Sequence, residues 1–192
     1  MEECIVTSKV PGLSDVFLIP ADWWWGFHTL ELEYPWLTPE AIQTLFFYCK
    51  PYHNVLEFGA GGSTLFFSRR VNHVTSFETL VGWYEKVKEA LATRGLANKT
   101  DLYLVSSVEQ SMGIIPDGCL YDIMLIDCVE IDRYELAKRS LSLVKPGGIV
   151  VLDNYAASYC GEADALFEGK GQTAFDDVHY KDCGKGTKIY YM

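Results

Sequence analysis

Five apolar runs of this 192-residue chain end in polar side chains. They end at Glu57 with Gly59-Ala60-Gly61-Gly62, at Glu78, at Ser106-Ser107, at Asp127 and at Asp153-Asn154. Four of the five carry a carboxylate, which favours a ligand bearing cationic or hydroxyl groups. Glycines let the backbone turn tightly and approach a ligand closely. A carboxylate two residues before the first glycine would repel a dinucleotide pyrophosphate and attract an amino group or a sulfonium. Glu78 stands 19 residues beyond Gly59, near the roughly 20-residue offset at which an acidic side chain accepts ribose hydroxyls. A helix start favours Glu at that point as well.

These residues need a scaffold that brings strand ends together. Asn54–Phe58, His73–Phe77, Asp101–Val105, Tyr121–Ile126 and Ile149–Leu152 read as strands. Helices are expected at Thr38–Cys49, with Pro39 opening the first turn, and at Ser63–Arg70, Val81–Arg94 and Asp132–Val144. Gly95 suits a helix C-terminus and Asp132 an N-cap. Strands that are apolar throughout and alternate with helices make a parallel sheet covered on both faces. Phe175–Lys181 and Thr187–Tyr191 read as two further strands joined by Asp182-Cys183-Gly184-Lys185-Gly186. Five residues are too few for a parallel crossover, so this pair forms an antiparallel hairpin. The fold class is α/β, a doubly wound and mostly parallel sheet, and such sheets bind ligands at the carboxyl ends of their strands.

The net charge of −10 makes a nucleic-acid phosphate backbone a poor partner. No apolar run approaches the ~20 residues of a membrane span, and basic residues are too scattered to hold an anionic membrane. The acidic start, Met1-Glu2-Glu3-Cys4, lacks the plan of a secretory signal. A cytoplasmic protein with six free thiols (Cys4, Cys49, Cys119, Cys128, Cys160, Cys183) is therefore expected. The absence of CxxC spacing argues against structural zinc. Residues 1–35, with Trp23-Trp24-Trp25, Phe27 and Tyr34, read as an aromatic segment or lid, and residues 36–192 as one domain.

Glu57-x-Gly59-x-Gly61-Gly62, Glu78, the run Asp122 to Asp127, and Lys145-Pro146-Gly147-Gly148 together resemble the class I S-adenosylmethionine-dependent methyltransferases. The resemblance implies a seven-stranded Rossmann-like sheet and S-adenosylmethionine as cofactor. It places Glu57, Gly59, Ala60, Gly61, Ser63 and Thr64 at the amino-acid end of the cofactor. Glu78 and Thr79 fall at the ribose, Ser106 and Ser107 at the adenine, and Asp127 where cofactor and acceptor meet, as the catalytic candidate. More narrowly, Tyr34-Pro35-Trp36-Leu37-Thr38 with the glycine loop is similar to a group of such proteins associated in part with glycan gene clusters.

Asp127 with Asp153-Asn154 also looks like the divalent-metal triad of the catechol and caffeoyl-CoA O-methyltransferases. Three oxygen ligands suit Mg²⁺, and a metal-bound hydroxyl is the better nucleophile. The lysine that follows the first Asp by three positions in those enzymes is here Glu130, and Asp132-Arg133-Tyr134 is displaced by one residue. Without a metal, Asp127 is an ordinary strand-end residue and Asp153-Asn154 good turn chemistry. His53 and His73 read as structural, whereas His28 and His179 could face the site; Cys128 could form its wall. Trp83 and Tyr84 fit either the adenine or the core. The expected activity is methyl transfer to a small molecule or sugar, at oxygen. A nicotinamide oxidoreductase and a non-catalytic cofactor-binding domain are the rivals. Oligomeric state stays open, a homodimer included.

Overall fold

The computed structural model describes residues 29–129, 131–157, 160–176 and 186–192. Its centre is a seven-stranded sheet in the order β3-β2-β1-β4-β5-β7-β6. The strands are β1 (Asn54–Phe58), β2 (His73–Glu78), β3 (Thr100–Leu104), β4 (Tyr121–Ile126), β5 (Val144–Asp153), β6 (Gly171–Phe175) and β7 (Thr187–Tyr191). All neighbours from β3 to β5 are parallel, while β7 runs antiparallel to both β5 and β6. The sheet is therefore doubly wound, with the antiparallel C-terminal pair the sequence requires. Strand order turns back between β1 and β4, which opens the ligand crevice at their carboxyl ends.

The helices are α1 (Thr29–Leu32), α2 (Pro39–Tyr48), α3 (Gly62–Ser68), α4 (Val81–Thr93), α5 (Val108–Ile114), α6 (Arg133–Ser140) and α7 (Gly161–Ala165). Strands β1, β4 and β5 are apolar on both faces because each face has its own core. Val55, Ile123, Leu125, Ile149 and Val151 pack with Ile42 and Leu45 of α2 and Phe66 and Phe67 of α3. Leu56, Phe58, Met124, Ile126, Val150 and Leu152 pack with Leu136 of α6 on the other face. Burial at roughly 25 cal/mol per Å² makes these two layers the main driving force of the fold.

Three boundaries differ from the sequence reading. The α6 helix stops at Ser140, a 3₁₀ turn spans Leu141–Leu143, and Val144 already pairs with Tyr121. Lys145-Pro146-Gly147-Gly148 thus lies inside β5, in an irregular stretch where the register shifts. Strand β6 is Gly171–Phe175 rather than Phe175–Lys181; it is an edge strand and mostly exposed, so it lacks the apolar pattern that betrays the others. Residues 177–181 lie outside the described residues. The packed unit also begins no later than Thr29: Leu32 and Tyr34 are in the core, and a Cβ on Gly62 would meet the Tyr34 carbonyl at 2.2 Å. The segment Trp23-Trp24-Trp25, Phe27 and His28 lies outside the described residues, as do Cys4, Cys183, Glu130 and His179. Cys49, Cys119, Cys128 and Cys160 are free thiols.

Candidate active site

The glycine loop connects β1 to α3 and touches the loop after β4. Gly59 has φ +99°, a conformation that side-chain-bearing residues rarely adopt. A Cβ there would meet the Asp127 carbonyl oxygen at 2.5 Å. The Asp127 amide donates to the Phe58 carbonyl at 2.8 Å, and the Gly59 amide to Phe77 at 2.9 Å. These contacts hold the ends of β1, β2 and β4 in one floor.

Glu57 lies under this loop with no solvent exposure. Its Oε2 accepts hydrogen bonds from Thr64 and Ser76 hydroxyls, both at 2.5 Å, while Oε1 makes no bond of good geometry among the described residues. Burial pushes its carboxyl up to about 7, against the opposing pull of the Ser63, Ser76 and Thr64 hydroxyls. Ser76 sits beside Glu57 in the β1–β2 register, and Thr64 comes from the third position of α3. Thr64 also accepts from the Gly61 amide at 2.9 Å, so one hydroxyl ties Glu57 to the loop.

Glu78 closes the opposite side. Its carboxylate accepts from the amides of Ala60 (3.1 Å), Thr79 (2.7 Å) and Leu80 (2.8 Å). Burial raises its carboxyl, and those amides pull it back. Trp83 donates its indole N–H to the Ala60 carbonyl at 2.6 Å, which makes it a wall of the glycine loop. Ser106 and Ser107, at the end of β3, are engaged as helix caps. Ser107 Oγ accepts from the Gln110 amide at 3.2 Å, and the Gln110 side chain accepts from the Ser106 amide at 2.8 Å.

At the centre stand Asp127 and Asp153. Burial raises Asp127 to about 6, with the Arg133 guanidinium acting against it. Burial and the Asp127 charge raise Asp153 well above the ordinary carboxylate range. Asp153 Oδ1 accepts from the Thr187 hydroxyl at 2.7 Å, and Thr187 Oγ1 accepts from the Thr38 amide at 3.3 Å. Asn154 takes φ +51°, which Asn tolerates better than most residues. Arg133, the first residue of α6, donates to the Asp127 carboxylate and to the Asp153 backbone carbonyl. Cys128 is buried beside it, and burial pushes its thiol to about 12, so it serves as wall rather than nucleophile. His73 pairs with Asp101 at 3.0 Å, away from the strand ends, and buried His53 sits at the opposite end of β1.

The sequence reading missed Ser76, Arg133 and Thr187. Ser76 could have been found from the register of two adjacent strands. Arg133 carried a signal of its own: a cation in the first turn of a helix opposes the macrodipole, so something else must hold it there.

The chain superposes on a candidate O-methyltransferase from Klebsiella pneumoniae with a TM-score of 0.67 at 14% identity, over 99% of this chain and 93% of that one. The fold is that of the S-adenosylmethionine-dependent methyltransferases. A candidate caffeoyl-CoA O-methyltransferase from Staphylococcus aureus gives 0.66 at 19% identity, over 94% and 99%. The O-methyltransferase TomG of Streptomyces achromogenes, involved in tomaymycin synthesis and solved in complex with S-adenosylmethionine, gives 0.64 at 16% identity, over 98% and 92%. Structures of rRNA methylases share the methyltransferase fold too. No family model and no curated protein matches the sequence. Among the described residues no helix is long and apolar enough to cross a membrane.

Proposed function

We propose that the protein is an S-adenosylmethionine-dependent methyltransferase acting at an oxygen of a small molecule or sugar. The observation that carries the reading is Glu57: a fully buried carboxyl group beneath a glycine loop, with one oxygen that makes no bond of good geometry among the described residues. Such a group is costly in an empty site and is compensated by a cation. The ammonium of the cofactor is a cation of the right kind, and a dinucleotide pyrophosphate is not. Glu57, Gly59, Ala60, Gly61, Ser63 and Thr64 would hold the amino-acid end, and Glu78 with Thr79 the ribose. Ser106 and Ser107 would border the adenine.

When bound, the cofactor supplies an activated methyl group on a sulfonium. The chain's own work is then largely orientation. Asp127, fixed through its backbone to β1 and through its side chain to Arg133, would stand beside the acceptor. Its raised carboxyl suits it to receive the acceptor hydroxyl's proton at neutral pH. A small acceptor is favoured over rRNA by the net charge of −10. The divalent metal of the catechol-type enzymes fits this donor set poorly, because Asp127 faces a guanidinium and Asp153 a hydroxyl.

The test is calorimetric titration with S-adenosylhomocysteine beside Glu78→Ala, followed by labelled-methyl turnover on a panel of phenols, sugars and amines. Micromolar binding lost in the variant, with turnover on a hydroxyl acceptor, is expected. A folded protein that binds no S-adenosylhomocysteine refutes the reading; binding without turnover on any acceptor favours the non-catalytic rival.

A further inference from the structure

The buried guanidinium between the ends of β4 and β5 has a role that the methyltransferase reading leaves unassigned. Arg133 is 3% exposed. Its Nε donates to the Cys128 carbonyl at 2.7 Å and its Nη1 to the Asp153 carbonyl at 2.6 Å. Its Nη2 reaches Asp127 Oδ1 at 3.3 Å, and Nη1 lies 3.5 Å from Cys160 Sγ. One planar fork therefore grips the segment after β4 and the end of β5 together. Burying a guanidinium is expensive unless its donors find acceptors in the right directions. Here those acceptors come from the same two strand ends that would have to supply a metal's ligands.

Resting on the methyltransferase reading, we propose that Arg133 is the resident cation of this site. Its guanidinium takes the place of a divalent metal between the ends of β4 and β5, and it positions Asp127 and Asp153 without Mg²⁺. Charge repulsion points the same way. A dication ligated by Asp127 would stand against the guanidinium across a single carboxylate. Mg²⁺ demands near-octahedral oxygen ligation and dehydrates reluctantly. Arg133 already holds one oxygen of Asp127, and the Thr187 hydroxyl one oxygen of Asp153, so each carboxylate has a single oxygen left to offer a metal. Arg133 is a positioning residue on this account: it acts through Asp127 and Asp153 and touches neither the methyl group nor the acceptor.

The full chain is titrated with Mn²⁺ while the electron paramagnetic resonance signal of the free ion is followed, with and without S-adenosylhomocysteine. Wild-type protein is expected to show no saturable site. A saturable site that Asp153→Asn removes overturns the proposal. Arg133→Met leaves both carboxylates without their cation and is expected to gain a Mn²⁺ site, together with a Mn²⁺-dependent rise in melting temperature. Asp153→Asn should remove both gains. An arginine that served only packing would lower the melting temperature and create no metal site, so a folded Arg133→Met that binds no Mn²⁺ also overturns the proposal. If Arg133→Met is recovered unfolded, Mn²⁺ but not Na⁺ of equal ionic strength should restore folded protein; failure to do so counts against the proposal equally. Calorimetry of wild-type protein with S-adenosylhomocysteine in EDTA reports separately on the cofactor. Absence of that binding both with and without EDTA would sink the methyltransferase reading and leave the Mn²⁺ result on Arg133 readable, whereas binding lost only in EDTA overturns the proposal.

Discussion

Glu57 predicts a pH-dependent cofactor affinity that is worked out from its burial. In the ligand-free protein its carboxyl sits at about 7, above its ordinary 4.5. A bound ammonium favours the ionised form and returns the carboxyl toward that ordinary value. A tenfold change in proton affinity corresponds to about 1.4 kcal/mol, so full compensation is worth roughly 3 kcal/mol, a few hundred-fold in Kd. S-adenosylhomocysteine should therefore bind about 30-fold more weakly at pH 5.5 than at pH 8, with a plateau above neutrality. Calorimetry in buffers of different ionisation enthalpy should detect close to one proton released near pH 6. Glu57→Gln should flatten this component and weaken binding at pH 8. The same variant should raise the melting temperature of the ligand-free protein at pH 8. A carboxyl raised in the folded state loses stability as pH rises from its ordinary value to the raised one, and the amide escapes that loss. Asp127 and Asp153 titrate in the same direction, so the variant is the control that isolates Glu57. A pH slope of undiminished size in Glu57→Gln, or a flat wild-type profile, refutes the reasoning.

Gly59→Ala should abolish S-adenosylhomocysteine binding and lower the melting temperature, because its Cβ would drive the glycine loop away from the Asp127 backbone; unchanged affinity by calorimetry would contradict this. Gly62→Ala should cost several kcal/mol, since its Cβ meets two backbone carbonyls at 2.2 and 2.4 Å, and chemical denaturation should show it. Glu33 is buried, and although burial would raise it, the guanidiniums of Arg69 and Arg94 hold its carboxyl below the ordinary range. Glu33→Gln should therefore cost about 2 kcal/mol at neutral pH after allowance for the half-exposed arginines, or roughly 4–8 °C in melting temperature. That cost is fully present above the ordinary pKa and should vanish as acidification protonates Glu33 in the wild type.

The strands were legible because burial on both faces fills most of their positions with apolar residues. Val55-Leu56 and Ile123 to Ile126 are fully buried, and the apolar runs that contain them locate β1 and β4. The edge strand β6 was not legible for the converse reason: Gly171-Gln172-Thr173-Ala174 meets solvent and carries no apolar period. Helix α5 had a readable start, because Ser107 and Gln110 stand at capping-box spacing, but it is short and half-buried. In the site, the carboxylates at strand ends were visible as residue types in positions that topology makes important. Their partners were not. Thr187 reaches Asp153 across 34 residues, and Arg133 reaches the Asp153 carbonyl across 20. Such pairings depend on strand order and register, which no local pattern encodes.

The electrostatics of the strand ends explain why one arginine matters so much there. Glu57, Glu78, Asp127 and Asp153 converge on one crevice, and burial raises all four. Hydroxyls serve Glu57 and Asp153, and backbone amides serve Glu78; both ease desolvation without adding charge. Arg133 is the buried cation whose charge acts on Asp127 and Asp153 together. Among the described residues this one guanidinium faces four carboxyl groups that burial raises, and a sulfonium and an ammonium would favour their ionised forms. Full neutralisation within the chain would remove that attraction. A bound dication beside Arg133 would do the same, and it would set a repulsive charge near the sulfonium. On the proposed reading, this partial compensation holds the two central carboxyl groups and leaves the crevice selective for a cationic cofactor.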